Sequence, residues 1–407
     1  MKINTCRVCG SSSLKKVFTL GNQKFTGIFL KKKNSNVPSG NLSLVFCKLC
    51  SLLQLENSFN KNILYGNNYG YMSSLNNSMT RHLQSKSENL KKKYNLSSGD
   101  LIIDIGSNDG TFLSFFNKSF FLVGIDPTIK KFYKYYNKNI LKIDDFFSKN
   151  SIQAIVKNKK AKLITSISMF YDIEDPLKFA NDVYDILDEE GVWHLEQSYM
   201  PAMIKNTSYD TICHEHLEYY SLKSIKYIFD KIGFKIVDIE FNDVNGGSFA
   251  LTVTKKKSKY KENKALIEWL LEKEELYQYN SLSTFDEFFK KTVKHKKILK
   301  KLLVDLKNDK KKVVGYGAST KGNVILQYCN IKEDLLPYIS EVNTYKYNKF
   351  TPGSNIRIIS EKKAKLLKPD FYLVFPWHFK NFIINKEKNF IKNGGRLIFP
   401  LPDIEIV

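Results

Sequence analysis

Two carboxylates flank a glycine-rich turn after an apolar segment, and this arrangement has the chemistry of a cofactor site. The run Leu101–Ile105 contains Asp104 and predicts a buried strand, and the turn Gly106–Gly110 follows it. Glycines let a ligand approach the backbone, and the next residues predict the start of a helix with free N–H groups. A second predicted strand, Phe121–Ile125, is followed by Asp126, whose carboxylate can accept hydrogen bonds from both ribose hydroxyls of an adenosine.

The spacing of the glycines distinguishes two kinds of adenosine cofactor. A dinucleotide site typically carries G-x-G-x-x-G, which places a diphosphate on the helix N-terminus. Here Gly106 and Gly110 are separated by three residues, and the acids Asp104 and Asp109 flank the turn. Carboxylates disfavour a diphosphate but suit S-adenosylmethionine (SAM), which has no phosphate and carries a sulfonium and an ammonium group. The alternative is a strand–helix turn that needs glycine only for its geometry.

Two neighbouring loops extend the predicted cofactor site. Asp145 and Phe146 follow the second predicted helix, where an acid commonly meets the adenine amine, and Ser168 follows the next strand. The carboxyl ends of the strands of an open α/β sheet line one crevice, so these side chains should meet there. The predicted cofactor-binding residues are Asp104, Gly106, Ser107, Asn108, Gly110, Asp126, Pro127, Asp145, Phe146 and Ser168.

The cysteine spacing predicts a zinc site near the N-terminus. Cys6 and Cys9 form one C-x-x-C pair, and Cys47 and Cys50 form another. Paired knuckles of this kind place four thiolates around zinc, and such a closed site has no position for water. We therefore expect structural rather than catalytic zinc. A disulfide is the less expected use of these cysteines in a cytosolic chain.

A further group of chemically active side chains lies in the segment DTICHEHLEYYS, residues 210–221. It places Cys213, His214, Glu215 and His216 next to one another. A histidine beside a carboxylate is typical of a general base tuned near neutral pH. Cys213, His214 and His216 could instead bind a metal, or the histidines could have a structural role. The residues alone leave these three interpretations open.

An aromatic segment, LYGNNYGYMSS, precedes the first glycine-rich turn. It carries Tyr65, Tyr69 and Tyr71, and its glycines and asparagines predict a loop. Such a loop could close over a bound substrate, or its tyrosines could simply pack.

The order of predicted elements indicates an α/β protein with several domains. Alternating strands and helices from about residue 89 to 254 predict a doubly wound sheet. A helical stretch rich in lysine and glutamate follows, and a second strand with a glycine-rich turn starts at residue 312. We expect a zinc-binding module at 1–65, a Rossmann-like SAM-binding domain at 66–255, connector helices at 256–310 and a smaller C-terminal α/β domain at 311–407.

The second glycine-rich turn, Gly315–Gly322, differs from the first in charge. It contains no acid, offers hydroxyl groups and places Lys321 at the predicted helix start, which is typical of phosphate binding. One turn thus suits a cationic methyl donor and the other an anionic partner. This contrast predicts a phosphorylated or nucleotide-linked small molecule held between two domains. The predicted substrate-binding residues are Tyr219, Gly317, Ser319, Lys321, Asn323, Trp377 and His378.

Composition constrains the class of protein. The 407 residues suffice for two or three domains, and the longest apolar runs are far shorter than a membrane span. The N-terminus, MKINTCRVCG, lacks the apolar segment of a signal peptide. The net charge of +23 comes almost entirely from lysine, whereas arginine, the usual reader of bases, is scarce. We expect a cytoplasmic protein without membrane attachment, and a solvated basic surface rather than nucleic-acid binding.

The motifs occur in an order and spacing that chance does not explain. They read CRVCG…CKLC, NYGYMSS…MTRH, DIGSNDGTFL, GIDP, CHEHLEYYSL, NGGS, GYGASTKGN, TPG and PWHF. Over essentially its whole length the chain resembles the nucleotide-sugar C-methyltransferases of deoxysugar biosynthesis. The resemblance implies a zinc-binding module, a SAM-binding domain and a C-terminal domain that helps to hold a nucleotide-linked sugar. It also implies methylation at the carbon next to a ketone, commonly C3 of a 4-keto-6-deoxyhexose.

The resemblance also assigns catalytic roles. The family's base falls on His216, with Glu215 beside it to orient the ring, and a loop tyrosine matches Tyr71 or Tyr69. Tyr71, Tyr69 or His214 would then donate to the enolate oxygen. An O-methyltransferase on a related nucleotide sugar and an RNA-directed methyltransferase are the alternatives. The sequence does not determine the sugar, the nucleotide or the oligomeric state.

This chain departs from the family pattern at several positions. Cys213 stands where the motif usually has tyrosine, and Asp172 stands where a histidine often follows the third strand of the SAM domain. Asn245 and Ala250 occupy positions where histidine and arginine are more usual. These departures leave the methyltransferase prediction intact, but they leave open the sugar and the methylated atom.

Overall fold

The strands form three separate sheets in a computed structural model that describes residues 1–66 and 69–407. The sheets contain four, seven and six strands and lie in the predicted zinc module, SAM-binding domain and C-terminal domain. Residues 67 and 68 of the aromatic loop lie outside the described residues. Within the described part of the chain, no helix combines the length and apolar character that crossing a bilayer requires.

An antiparallel meander begins the N-terminal sheet. Its strands are β1 (Leu14–Lys24), β2 (Ser39–Cys47) and β3 (Leu53–Leu55). Leu14 pairs with Cys47, so the start of β1 lies beside the end of β2. The meander therefore brings the two cysteine pairs together although 37 residues separate Cys9 from Cys47 in the chain.

The middle domain alternates strands with helices, as predicted. The two strands predicted with bounds, Leu101–Ile105 and Phe121–Ile125, form over those same residues. The elements are α1 (Lys61–Leu64), α2 (Asn77–Lys93), β4 (Leu101–Ile105), β5 (Phe121–Ile125), α3 (Ile129–Phe132), β6 (Ile140–Ile143), α4 (Lys149–Val156), β7 (Ala161–Ile167), α5 (Pro176–Ile186), β8 (Leu187–Ser198), α6 (Met200–Lys205), β9 (Glu218–Tyr219), α7 (Leu222–Ile232), β10 (Phe234–Asn242) and β11 (Ser248–Lys255).

The order of strands in the middle sheet determines where a ligand can bind. The sheet runs β10-β11-β8-β7-β4-β5-β6, with β11 antiparallel to both of its neighbours and all other neighbouring strands parallel. From β6 to β8 the parallel strands have the order 3-2-1-4-5 of a Rossmann-like sheet. The strand order reverses at β4, because the chain adds β5 and β6 on one side of it and then β7 and β8 on the other. The ligand crevice therefore lies beyond the carboxyl ends of β4 and β7.

The helix predicted after the first glycine-rich turn does not form. Leu113–Phe115 make a single 3₁₀ turn instead. The rings of Phe112 and Phe116 pack with centroids 5.4 Å apart, and the Asn117 side chain accepts the N–H of Ser119, which turns the chain toward β5. The prediction was wrong because this short connection buries aromatic rings instead of extending a helix.

The strand β9 links the middle domain to the zinc module. It pairs with β3, with Leu53 opposite Tyr219 and Gln54 opposite Glu218. The N-terminal sheet is thus completed by residues that lie more than 150 positions later, and the expected boundary at residue 65 is not a boundary of this sheet. The pairing also places the segment 210–221 against the zinc module.

Two connector helices, α8 (Lys264–Leu276) and α9 (Leu282–Asn308), follow the middle domain. Glu274 of α8 is buried and accepts hydrogen bonds from the N–H groups of Leu222 and Lys223, which start α7. On α9, Phe288 packs against Phe18 of β1 with ring centroids 5.0 Å apart. These contacts hold the connectors against both preceding domains.

The C-terminal domain repeats a Rossmann-like order. Its sheet runs β14-β13-β12-β15-β16-β17, with the last strand antiparallel, which is the order 3-2-1-4-5-6. Asn323 of this domain donates to the carbonyl oxygen of Thr26 (2.7 Å), so the domain docks on the zinc module. The elements are β12 (Val313–Tyr316), α10 (Thr320–Tyr328), β13 (Tyr338–Glu341), β14 (Arg357–Ser360), α11 (Glu361–Leu366), β15 (Phe371–Val374), α12 (Lys380–Lys386), α13 (Lys388–Lys392), β16 (Arg396–Phe399) and β17 (Glu405–Ile406).

Candidate active site and metal centre

The four predicted zinc ligands converge at the end of the N-terminal sheet. Their sulfur atoms all lie within 4.8 Å of one another, with Cys6 Sγ 3.5 Å from Cys50 Sγ and Cys9 Sγ 3.4 Å from Cys47 Sγ. A tetrahedral site with Zn–S bonds of about 2.3 Å needs sulfurs about 3.8 Å apart, so the group fits zinc after small adjustments. Among the described residues, no other group of three or more cysteine, histidine or acidic side chains has this geometry. The alternative metal site at Cys213, His214 and His216 is therefore wrong.

The glycine-rich turn after β4 is held in shape by the acid that follows β5. Gly106, Asn108 and Gly110 all have positive φ angles. Asp126 Oδ2 accepts the N–H of Asn108 (2.9 Å), and its Oδ1 accepts the N–H and hydroxyl of Thr128 (2.7 and 2.5 Å). Burial raises the pKa of Asp126, and these hydrogen bonds partly offset that effect. The carboxylate oxygens retain acceptor capacity for ribose hydroxyls.

Asp104 lies inside the carboxyl end of β4 and is almost completely buried. Its Oδ1 accepts the hydroxyl of Thr165 from β7 (2.6 Å). Burial, reinforced by the negative charges of Asp126 and Asp109, raises the pKa of Asp104 to about 7. A bound cation would favour the ionised form, which is consistent with a cationic cofactor at this place.

The aromatic loop closes onto the same turn. The N–H of Ser73 donates to Asn108 Oδ1, and the N–H of Ser74 donates to Asp109 Oδ2, both at 3.0 Å. Asn108 Nδ2 donates to the carbonyl oxygen of Tyr71 (3.3 Å). The loop therefore forms a wall of the crevice.

A cavity of about 350 Å³ opens between this loop and the carboxyl ends of the strands. This volume lies at the lower end of the range of about 300–1,000 Å³ typical of small-molecule sites. All predicted cofactor-binding residues except Gly110 line it, and so do the predicted catalytic residues Tyr69, Tyr71, His214 and Glu215. Tyr65 and Asp172 also line the cavity. The sequence showed Tyr65 in the aromatic loop and Asp172 as a departure from the family pattern, but it did not assign either residue to the site.

His214 is a packed ring. Its ring centroid lies 4.6 Å from that of Phe25 and 4.8 Å from that of Phe59, and its Nε2 is 3.4 Å from the carbonyl oxygen of Gly40. Burial lowers the pKa of His214 to about 4, so the ring is neutral at physiological pH. Its surroundings favour a structural role at the cavity wall.

His216 lies on the opposite side of the segment and does not line the cavity. Its Nδ1 is 2.8 Å from the carbonyl oxygen of Thr211 and donates to it, which leaves Nε2 as the acceptor. Its ring packs on Tyr171 with centroids 4.3 Å apart. Burial, with a contribution from Lys321, lowers the pKa of His216 to about 3, so the ring is neutral. Thr211, rather than the predicted Glu215, orients the ring.

Glu215 and Asp172 bring two buried carboxyl groups to the cavity. Tyr65 donates to Asp172 Oδ2 (2.6 Å), while Asp172 Oδ1 and Glu215 Oε2 are enclosed without a hydrogen-bond partner among the described residues. Burial raises the pKa of both groups, and the charge of Glu215 adds to the effect on Asp172. The spacing in the sequence could not show that these two acids share one cavity.

The C-terminal residues predicted to bind substrate lie outside this cavity. Ser319 caps α10 by accepting the N–H of Gly322 (2.9 Å), and Trp377 Nε1 donates to Asp210 (2.8 Å). Tyr219 donates to the carbonyl oxygen of His216 (3.1 Å). Of these contacts, the one from Trp377 to Asp210 joins the C-terminal and middle domains, whereas those of Ser319 and Tyr219 are local.

Lys321 and His378 nevertheless lie close to His216. Lys321 Nζ donates to the carbonyl oxygen of Asn245 (2.5 Å), and Asn245 Nδ2 donates to Ser168 Oγ (3.2 Å) at the cavity wall. Burial lowers the pKa of His378, and the charge of Lys321 contributes to this effect as it does for His216. Lys321 is therefore near enough to both histidines for its charge to affect their pKa values.

The second glycine-rich turn is less suited to an anion than its sequence indicates. Glu341, at the end of β13, accepts the N–H of Ala318 in this turn (2.9 Å). Glu341 is buried, and its carboxylate occupies a backbone donor that a phosphate would need. The expectation of an acid-free turn was wrong because the acid arrives from the next strand.

Three family models match the chain in order. They are a zinc binding domain at residues 6–65, a methyltransferase domain at 79–239 and a C-methyltransferase C-terminal domain at 243–402. C-methyltransferase NovU from Streptomyces niveus is 30% identical over 411 residues, which cover 100% of this chain and 97% of that protein. The chain belongs to the C-methyltransferase family. It is a SAM-dependent enzyme with a Rossmann-like domain and a four-cysteine zinc module.

Solved methyltransferase structures resemble only part of this C-methyltransferase. A SAM-dependent methyltransferase from Clostridium acetobutylicum is 16% identical, covering 43% of this chain and 92% of that chain, with a TM-score of 0.34. A second one from Aquifex aeolicus is 15% identical, covering 43% and 92%, with a TM-score of 0.32. At these values the matches carry no information on the substrate.

We predict that Cys47→Ser loses zinc and lowers the thermal stability of the enzyme, because a structural zinc site contributes its binding energy to folding. Metal analysis and a melting curve measure both effects. Cys329→Ser is the matched control, since Cys329 is buried in the C-terminal domain against Tyr209 and is remote from the four-cysteine group. A Cys47→Ser protein with normal stability and no metal would contradict the structural role.

We predict that Asp126→Ala weakens SAM binding about 10- to 100-fold, because the ribose loses a charged acceptor and the turn loses its clamp. Calorimetry measures the affinity, and zinc content should stay unchanged. Asp144→Ala is the control, because Asp144 lies near the site but does not line the cavity. Equal SAM affinity of Asp126→Ala and wild type would show that the adenosine lies elsewhere.

Proposed function

We propose that the enzyme transfers the methyl group of SAM to the carbon next to the ketone of a nucleotide-linked keto-deoxysugar. The observation that carries this proposal is His216, a neutral proton acceptor whose chain neighbours Glu215 and Leu217 line the cavity. Carbon methylation at such a position requires a base, and a neutral imidazole with a fixed tautomer can act as one at pH 7. A cytoplasmic location belongs to the same proposal, because reduced thiols are needed for the zinc module.

Different residues would bind the cofactor, accept the proton and exclude water in this reaction. Bound SAM supplies an electrophilic methyl group, and Asp126, Asp104 and the turn at Gly106–Gly110 would hold it. His216 Nε2 takes the proton from the carbon next to the ketone, and Thr211 keeps the imidazole in the required tautomer. Burial of the site excludes water, which would otherwise compete for the proton and the methyl group.

A group of lysines supports the nucleotide part of the proposal. Lys349 Nζ lies 3.2 Å and Lys131 Nζ 4.5 Å from the centroid of the same ring, that of Tyr345. Lys131 also donates to the carbonyl oxygen of Tyr69, which lines the cavity. The lysines therefore stand at the rim of the cavity, where the middle and C-terminal domains meet.

The lysines at this rim repel one another. Burial and the charges of Lys131, Lys31 and Lys346 lower the pKa of Lys349 to about 8. A diphosphate would relieve this repulsion, because it brings negative charge to several ammonium groups at once. We therefore assign the diphosphate to these lysines in preference to Lys321, whose ammonium already donates to Asn245.

We predict that His216→Asn retains SAM affinity and loses about a hundredfold or more in turnover, the usual contribution of a positioned base. The assay incubates SAM with keto-sugar nucleotides and detects the product by mass spectrometry. Wild type with SAM should also exchange deuterium from solvent into the carbon next to the ketone, and the variant should not.

His295→Asn is the control, because His295 is a buried histidine that is hydrogen-bonded to the carbonyl oxygen of Pro400. Undiminished turnover would exclude His216 as the base, and methylation on oxygen would favour an O-methyltransferase.

We predict that Lys349→Met raises the KM for a nucleotide sugar about three- to fivefold, with kcat and SAM affinity unchanged, because a partly exposed charge pair contributes modestly to binding. The effect should shrink at high salt. Lys388→Met, an exposed lysine on α13, is the control. An unchanged KM in Lys349→Met together with a raised KM in Lys321→Met would move the diphosphate back to the second glycine-rich turn.

A further inference from the structure

Two carboxyl groups share the cavity without a cation to balance them. Asp172 and Glu215 both line the cavity, and among the described residues neither forms an ion pair. The two lysines of the cavity wall are engaged elsewhere, since Lys178 pairs with Asp182 (2.8 Å) and Lys61 lies over Phe146 (4.0 Å). Two enclosed carboxyl groups in one cavity cannot both ionise at low cost, which favours a state in which one of them is protonated.

For Asp172, the hydrogen bonds indicate which of its two oxygens would carry a proton. The Tyr65 hydroxyl donates to Asp172 Oδ2, so this oxygen acts as an acceptor. Asp172 Oδ1 is enclosed and has no partner among the described residues. A proton on Oδ1 would turn this unsatisfied atom into a hydrogen-bond donor. Because Asp172 lines the cavity, a small rotation of its carboxyl group would let a substrate oxygen accept this hydrogen bond.

We propose that Asp172 acts as a protonated carboxylic acid whose Oδ1–H donates a hydrogen bond to the enolate oxygen of the methyl acceptor. This role rests on the proposed function, because it requires a substrate that forms an enolate. Tyr65 fixes the carboxyl group in place through Oδ2. The pairing of a buried neutral acid with a tyrosine is an established way to build an oxyanion site.

The charge balance of the reaction favours a neutral acid over a carboxylate. When His216 removes the proton, the electron pair of the C–H bond moves into the carbonyl group and leaves negative charge on its oxygen. An ionised Asp172 would repel that charge, whereas the Oδ1–H group stabilises it. The enolate carbon then forms the new bond to the methyl carbon, the S–CH₃ bond breaks with its electron pair on sulfur, and the carbonyl group returns. Asp172 keeps its proton throughout.

The groups around Asp172 support the neutral form. The charge of Glu215 raises the pKa of Asp172 further, after burial as the main cause. The tyrosines and Cys213 that face it are neutral at pH 7 because their pKa values are raised. The other titratable groups that line the same cavity are Lys61, Tyr65, Tyr69, Tyr71, Asp104, Asp126, Asp145, Glu174, Asp175, Lys178, Asp182, His214 and Glu215. Tyr171, Cys213, Glu218 and Tyr219 also interact electrostatically with Asp172.

The test compares Asp172→Asn and Asp172→Ala with wild type. Asn keeps a neutral donor of the same shape, so Asp172→Asn should retain turnover within about tenfold, whereas Asp172→Ala should lose about a hundredfold or more, as removal of an oxyanion donor does. Wild-type turnover should fall as pH rises through the pKa of Asp172, and Asp172→Asn should lose this dependence. If Asp172→Asn loses as much as Asp172→Ala, or if its KM rises selectively for amino-bearing substrates, Asp172 works as a carboxylate and the proposal is overturned.

A second readout needs no substrate. A carboxyl group whose folded pKa is raised stabilises the protein fully below its unfolded pKa of about 3.9 and loses this contribution as pH rises through the folded pKa. Relative to wild type, Asp172→Asn should therefore gain resistance to denaturant between pH 4 and pH 8. Asp188→Asn is the opposite control, because pairing with Lys162 lowers the pKa of Asp188 and its contribution is present above pH 4. Its loss of stability should therefore stay constant from about pH 5 to pH 8 and shrink only as pH falls below about 4.

The two readouts separate the two proposals. If no keto-sugar nucleotide is methylated, the proposed function fails, and the denaturation series still decides whether Asp172 is protonated. If methylation occurs but Asp172→Asn gains no stability toward pH 8, Asp172 is ionised in the folded enzyme and its assignment fails alone.

Discussion

The hydrogen bond from the Asn108 N–H to Asp126 supports most of the cofactor site. It joins the ends of β4 and β5 and holds a turn in which Asn108 itself adopts a positive φ angle. The same turn then receives the aromatic loop, through the N–H groups of Ser73 and Ser74. One buried carboxylate thus positions the floor of the cavity directly and its wall indirectly.

Charge is separated across the active site. The cavity contains the acids Asp104, Asp126, Asp172 and Glu215, and burial raises the pKa of each of them. Lysines gather at the rim, around Tyr345. A bound cationic methyl donor would favour the ionised forms of Asp104 and Asp126, and a basic rim suits an anionic acceptor, so the two substrates would occupy their own regions without competing.

The domains depend on one another for their structure. The strand β9 completes the sheet of the zinc module, and Asn323 attaches the C-terminal domain to that module through Thr26. The segment with His214, Glu215 and His216 lies between these contacts. Zinc takes no part in the chemistry, but it stabilises the sheet with which β9 pairs. It therefore affects the position of the active-site segment indirectly.

Local signals in the sequence determined the zinc ligands, the strands β4 and β5, and the SAM turn, because each depends on residues that are close in the chain or on regular spacing. Nine of the ten predicted cofactor-binding residues line the cavity for that reason. Only the tertiary structure decided the rest. It placed Glu341 on the second glycine-rich turn, gave the orientation of His216 to Thr211, and set Asp172 beside Glu215. These relations join residues from different strands, loops and domains, and their energies depend on burial, which a linear pattern does not specify.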